Sequence, residues 1–156
     1  MIKLDQCLVS YLAGFFDGEG CVYIARKGNG YYLIVTIQQV DSTPLVLIKN
    51  TYGGSLLKRQ EKLRKRPIHI LRLQNKMAIR FLEDIYPFCI VKRIEVAIAL
   101  EFSRLPKFNR WHVASSSDKE RMESFRLLLQ ILKRDDRMRG KVIEEPSYEK
   151  VRAMLE

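Results

Sequence analysis

Leu8, Leu12, Phe15 and Phe16 recur at helical spacing, and Val9 and Ala13 widen the apolar stripe they make. The spacing predicts a helix that ends at Asp17-Gly18-Glu19-Gly20, where two glycines supply backbone angles that a helix interior disfavours. Ala13 and Gly14 carry little side chain, so a second helix can approach closely there. The period then changes. Cys21–Arg26 and Tyr31–Val40 are predicted strands joined by the turn Lys27-Gly28-Asn29-Gly30. Asp41-Ser42-Thr43-Pro44 starts a helix, Leu45, Ile48 and Tyr52 form its buried face, and Gly53-Gly54 ends it. Leu56–Lys62 and Ile68–Leu73 predict a second hairpin, and 75–85 and 91–105 predict two helices separated by Tyr86-Pro87-Phe88. A long helix from Asp118 to about Arg134 and a short one over 147–155 complete the chain. The order helix, two strands, helix, two strands, helix, helix gives an α+β domain, an antiparallel sheet with helices on one face. The whole 156 residues form one domain, a core over about 5–105 and a helical extension over about 106–156.

Charge changes the picture most. The net charge of +10 favours an anionic partner, most simply nucleic acid, although acidic membranes or proteins also suit a basic surface. Lys58, Arg59, Lys62, Arg64, Lys65 and Arg66 cluster at the second hairpin tip, with Lys27 at the first. Two-stranded ribbons fit the major groove, so Tyr23, Lys27, Tyr31, Arg59 and His69 are the expected groove-facing residues, with Arg64, Lys65 and Arg66 beside them. The alternative is a solvated charge run on an ordinary hairpin. The strand from Tyr31 does not settle its own orientation, because Leu33, Ile34, Val35 and Ile37 are apolar on both parities. Three scattered cysteines and two histidines make neither a disulfide framework nor a zinc site, which fits an intracellular setting. No apolar run approaches the length of a membrane span, and Asp5, Gln6 and Ser10 argue against a secretory signal.

The candidate chemistry sits at the end of the first helix. A carboxylate there suits a hard divalent cation, which takes oxygen ligands, and two-fold symmetry would bring two copies of Glu19 to one place. Taken alone, Asp17 and Glu19 are ordinary turn acids on an ordinary core helix. As a string, Leu12-Ala13-Gly14-Phe15-Phe16-Asp17-Gly18-Glu19-Gly20 resembles the signature of the LAGLIDADG homing endonucleases. That resemblance implies that Glu19 is the metal-binding catalytic carboxylate, where many relatives carry Asp. It extends to Gln38 in Ile37-Gln38-Gln39-Val40-Asp41, and to Lys92 in Tyr86-Pro87-Phe88-Cys89-Ile90-Val91-Lys92. It departs at Asp41, Ser42 and Thr43, where some homodimeric relatives carry a basic residue.

With a single copy of the signature, the resemblance implies a homodimer through the first helix (Leu8, Tyr11, Leu12, Gly14 and Phe15) on a long, nearly palindromic duplex-DNA site. Glu19 and the Gly18 carbonyl are the implied ligands of Mg²⁺, with Mn²⁺ as a substitute, and Asp17 is expected to finish the helix rather than bind metal. Arg137, Arg139 and Lys141 are the expected phosphate contacts, against a flexible solvated linker as the alternative. The function expected is metal-dependent, site-specific double-strand DNA hydrolysis. An intron RNA maturase and a non-cleaving DNA-binding protein of the same fold are the alternatives.

Overall fold

The computed structural model describes residues 5–62, 65–105 and 115–134. Helix α1 spans Gln6–Glu19 and is opened by Asp5, whose carboxylate accepts the Cys7 N–H at 3.2 Å. Strands β1 (Gly20–Lys27) and β2 (Gly30–Gln39) form a hairpin whose turn includes Gly28 at φ +58°. Helix α2 (Thr43–Tyr52) has Pro44 in its first turn, and the Asp41 carboxylate accepts the Thr43 N–H at 2.9 Å. Gly53 and Gly54, at φ +88° and +100°, turn the chain into β3 (Ser55–Arg59). Then come β4 (Ile68–Gln74), α3 (Lys76–Ile85), a 3-10 turn (Tyr86–Phe88) and α4 (Arg93–Arg104). Helix α5 (Ser116–Arg134) starts at a reciprocal cap, in which the Ser115 hydroxyl accepts the Asp118 N–H at 3.1 Å and donates to its carboxylate at 2.8 Å. The fold is α+β, with one antiparallel sheet in the order β1-β2-β4-β3. The short helix read over 147–155 lies outside the described residues.

Strand alternation gives the sheet two unlike faces. Val22, Ile24, Leu33, Val35, Ile37, Leu71 and Leu73 point toward the helices and join Leu12, Phe16, Phe81, Val96 and Phe125 in one core. The Phe16 and Phe81 rings meet edge to face with centroids 5.7 Å apart. At about 1.5–3 kcal/mol per large apolar side chain, this layer is the main source of stability.

Three details differ from the sequence expectation. Helix α1 is not broken by its glycines: it runs through Gly18 and Glu19, and Gly20 takes extended angles (φ −83°) to begin β1 at once. Glycine is needed at 20 for space, because a Cβ would lie 2.0 Å from Cδ2 of Phe16. Strand β3 stops at Arg59, whose guanidinium turns onto Glu61 at 2.6 Å, and does not continue to Lys62. Leu12 is fully buried in its own subunit against the sheet and α3, because it shares the inward stripe with Val9 and Phe16. It is therefore unavailable to a partner.

Candidate active site and nucleic-acid face

The two acids closing α1 have opposite surroundings. Asp17 accepts three backbone N–H groups, from Ile90 at 2.7 Å, Val91 at 3.1 Å and Lys92 at 2.9 Å, and so holds the segment that leads into α4. Lys92 returns the interaction. Its Nζ donates to the carbonyl of Phe16 at 3.3 Å and to that of Asp17, and lies 5.9 Å from the Phe16 ring centroid. The Phe16 carbonyl also accepts the Gly20 N–H, whereas carbonyls beyond it have no partners within the helix, and a cation there also meets the negative end of the helix dipole. Asp17 and Lys92 thus lock the end of α1 to the start of α4. Asp17 commits three of its roughly four acceptor sites to that arrangement, which makes it a structural acid first.

Glu19, two residues on, is exposed and has no hydrogen bond or ion pair among the described residues. Gly20 pairs with Ile37, so Gln38 and Gln39 sit at the same end of the sheet as Glu19. Gln38 is exposed on the far side from the helices, whereas Gln39 turns back so that its Oε1 accepts the Val40 N–H at 2.9 Å. The fold therefore brings Glu19, Gln38 and Lys92 to one end of the molecule. No group of three or more His, Cys, Asp or Glu side chains suited to a metal occurs among the described residues. A single subunit offers the Glu19 carboxylate and the nearby Gly18 carbonyl, a hard but incomplete donor set.

The outer side of α1 is bare. Cys7, Ser10, Tyr11, Gly14 and Gly18 are exposed, Leu8 and Phe15 partly so, and the Tyr11 and Phe15 rings stack with centroids 6.1 Å apart. A Cβ added at Gly14 or Gly18 would meet nothing within 4 Å. Leu8, Tyr11, Gly14 and Phe15 thus remain open to a partner.

The registers define the sheet face away from the helices in rows. Arg59 lies opposite Ile68, then Leu57 beside Ile70 and Gln38, then Ser55 beside Arg72, Thr36 and Cys21, then Gln74 beside Ile34 and Tyr23. Tyr32 lies opposite Ala25, and Lys27 closes the β1 end. Tyr23, Lys27 and Arg59 therefore belong to this outer face. Tyr31 and His69 do not. Tyr31 has the parity of Leu33, and its hydroxyl donates to Glu123 of α5 at 2.8 Å; burial, then that hydrogen bond, raise its pKa. His69 has the parity of Leu71, and its Nδ1 lies 2.9 Å from the Val40 carbonyl. Each is off by one residue, which reverses the face of a strand. Lys65 and Arg66 are exposed at the second hairpin tip, whereas Arg64, Arg137, Arg139 and Lys141 lie outside the described residues.

Sequence reasoning missed the centre of this face. None of the four strands contains Asp or Glu. Tyr32, Thr36, Ser55, Arg72 and Gln74 carry polar side chains with no hydrogen-bond partner or ion pair among the described residues. Tyr32, Ser55, Arg72 and Gln74, with Ala25, Arg26, Lys27 and Ile34, line a trough of about 610 Å³. It also missed Lys133 of α5, whose Nζ donates to the Val22 carbonyl at 2.6 Å and lies 3.0 Å from Cys21 Sγ, fastening α5 to the edge of β1. Lys133 gave no signal in the sequence beyond its place in a basic helix end.

No family model matches the chain, and no curated protein matches it in sequence. Solved structures do. The homing endonuclease I-CvuI, in complex with its target in the presence of Ca, is 18% identical over 96% of this chain and 93% of its own, with a TM-score of 0.60. The archaeal intron-encoded homing endonuclease I-Vdi141I, complexed with DNA, is also 18% identical, over 94% of this chain and 93% of its own, with a TM-score of 0.60. The LAGLIDADG meganuclease I-AabMI, bound to uncleaved DNA, is 23% identical over 79% of this chain and 44% of its own, with a TM-score of 0.57. No helix among the described residues is long and apolar enough to cross a membrane. The signature string on α1, the sheet order and these likenesses agree: the chain has the fold of the LAGLIDADG homing endonucleases.

Proposed function

We propose that this protein is a site-specific double-strand DNA endonuclease that works as a homodimer and hydrolyses phosphodiesters with a divalent cation. The observation that carries the reading is the contrast at the end of α1, where Asp17 accepts three backbone N–H groups and Glu19 has no partner among the described residues, beside a sheet whose four described strands carry no Asp or Glu. A rigid helix presenting one free carboxylate is half of a cation site. A second α1, docked through the bare side at Tyr11, Gly14 and Phe15, supplies the other half by symmetry. The proposal makes each subunit read one half of a long, nearly palindromic site.

Within it, Glu19 and the Gly18 carbonyl hold Mg²⁺, with Mn²⁺ as a substitute, and their hard oxygens fit such an ion. Bound there, the cation supplies a lowered pKa for attached water and positive charge against the phosphate oxygens. Lys92 keeps its ammonium at the carbonyl end of α1, where it fixes the turn that bears Glu19 and favours negative charge nearby. Gln38, exposed and neutral, orients water by hydrogen bonding without titrating.

The test is selection of cleaved and of bound molecules from a randomised duplex-DNA library, with Mg²⁺, Ca²⁺ or EDTA, for the wild type and Glu19→Gln. Expected is one long pseudo-palindrome cut with Mg²⁺ alone. Glu19→Gln binds the same site and loses cleavage by on the order of 10³-fold or more. Full cleavage by that variant removes Glu19 from the chemistry. Specific binding without cutting by the wild type replaces the endonuclease with a DNA-binding protein, and preference for structured RNA replaces it with an RNA-binding one.

A further inference from the structure

We propose that Arg72 and Gln74 are the central base-reading pair of each half-site, Arg72 selecting guanine and Gln74 selecting adenine two base pairs farther from the cleavage centre. The assignment rests on the duplex-DNA reading above and adds to it which bases are chosen and by which side chains. Both residues point from β4 to the outer face; Arg72 is paired on both sides, by Thr36 of β2 and Ser55 of β3, and Gln74, at the end of β4, by Ile34 of β2. Their backbone is therefore held in the sheet, unlike that of the hairpin tips. Arg72 is exposed and is flanked in its row by Ser55 and Thr36, both short and neutral. No carboxylate among the described residues pairs with it. Arg59 at the edge strand instead turns onto Glu61. Gln74 adjoins Ile34, which is 1% exposed and lies at the bottom of the trough that both residues line.

The chemistry follows from shape. A guanidinium matches guanine O6 and N7 with two parallel hydrogen bonds, and a Gln amide matches adenine N7 and N6 in the same way. Same-face residues two apart on a strand are separated by about 7 Å, or about two base-pair steps of 3.4 Å. Order along the DNA follows from the registers. The row containing Gln38 lies nearest Glu19, the Arg72 row comes next, and the Gln74 row beyond it. Guanine is thus the inner base and adenine the outer one.

The same library selection tests this with Arg72→Gln and Gln74→Arg, both exposed or half-exposed positions whose folding is checked by thermal melting. Expected is a wild-type half-site with guanine inside and adenine two base pairs outward. In Arg72→Gln the inner preference alone moves toward adenine, and in Gln74→Arg the outer one alone moves toward guanine, each by roughly 5- to 150-fold. Uniform weakening across all sequences makes Arg72 a phosphate contact and overturns the proposal. Unchanged preferences in folded variants overturn it as well. A wild type that recovers no duplex at all overturns the endonuclease reading itself, an outcome visible before either variant is compared.

Discussion

The two sides of the sheet use the same residue types to opposite ends. On the helix side the polar groups are engaged: Tyr31 with Glu123, Tyr52 with Asp84, Asn75 with the Leu33 N–H, and His69 with the Val40 carbonyl. On the outer side Tyr32, Thr36, Ser55, Arg72 and Gln74 have no such partners among the described residues. The reason is solvation. A polar group taken out of water without a hydrogen bond costs about 1–3 kcal/mol, so groups that pack must pair. A group left in water carries no such penalty and stays available to a ligand. Asp17 and Glu19 repeat the contrast at two residues' separation. What matters for function is whether a charge already has a partner.

Breaking the engaged member of a pair is expected to show in stability, and breaking the free member in activity. The largest effect is at Asp17. Asp17→Ala strips the acceptor from three backbone N–H groups and is expected to cost about 3 kcal/mol, a Tm lower by roughly 6–12 °C. Glu19→Gln in the same melts leaves Tm within about 2 °C, since exposed positions rarely shift stability by more than about 0.5 kcal/mol. Equal losses at both positions would dissolve the distinction.

Next come the glycines of α1 and its exit. Gly20→Ala drives a methyl into the buried Phe16 ring, an overpacking cost of about 2 kcal/mol that lowers Tm by roughly 4–8 °C. Gly14→Ala meets nothing within its own subunit, and its effect is expected in sedimentation as a dimer dissociation constant raised about tenfold or more. Unchanged self-association would take Gly14 out of the proposed interface.

The smallest effect concerns Glu123. The Arg126 guanidinium, and then the Tyr31 hydroxyl, hold its carboxyl below the ordinary range. A depressed folded pKa means that the stabilisation is present above the unfolded value and is lost as pH falls through the folded one. Wild-type Tm is therefore expected to drop more steeply on acidification than that of Glu123→Gln, most clearly below the ordinary glutamate range. Parallel curves would mean that the Tyr31–Glu123–Arg126 contact contributes nothing to fastening α5.

Where sequence expectation failed, it failed at strand parity and at long-range partners. After Gly30, strand β2 runs Tyr31-Tyr32-Leu33-Ile34-Val35, a stretch in which either tyrosine could face the DNA. On β4, Ile68 and Ile70 share parity with Arg72 and Gln74, so the outer face looked like a core face from its first residues. The Asp17–Ile90 contact joins residues 73 positions apart, and no local pattern announces it.

The sequence by itself determined the α+β element order, the helix carrying the acid pair, and the turns at Gly28 and at Gly53-Gly54. These follow from local physics: hydrophobic period, and the left-handed angles that glycine tolerates. Only the tertiary structure decided that Asp17 is engaged and Glu19 free, that Leu12 faces inward, and that Tyr32 rather than Tyr31 faces outward. It also decided that Arg72 and Gln74 share the outer face of a sheet whose four described strands carry no Asp or Glu. Each of those outcomes depends on pairing register and on burial against distant elements, and a one-residue change in register reverses every side chain of a strand.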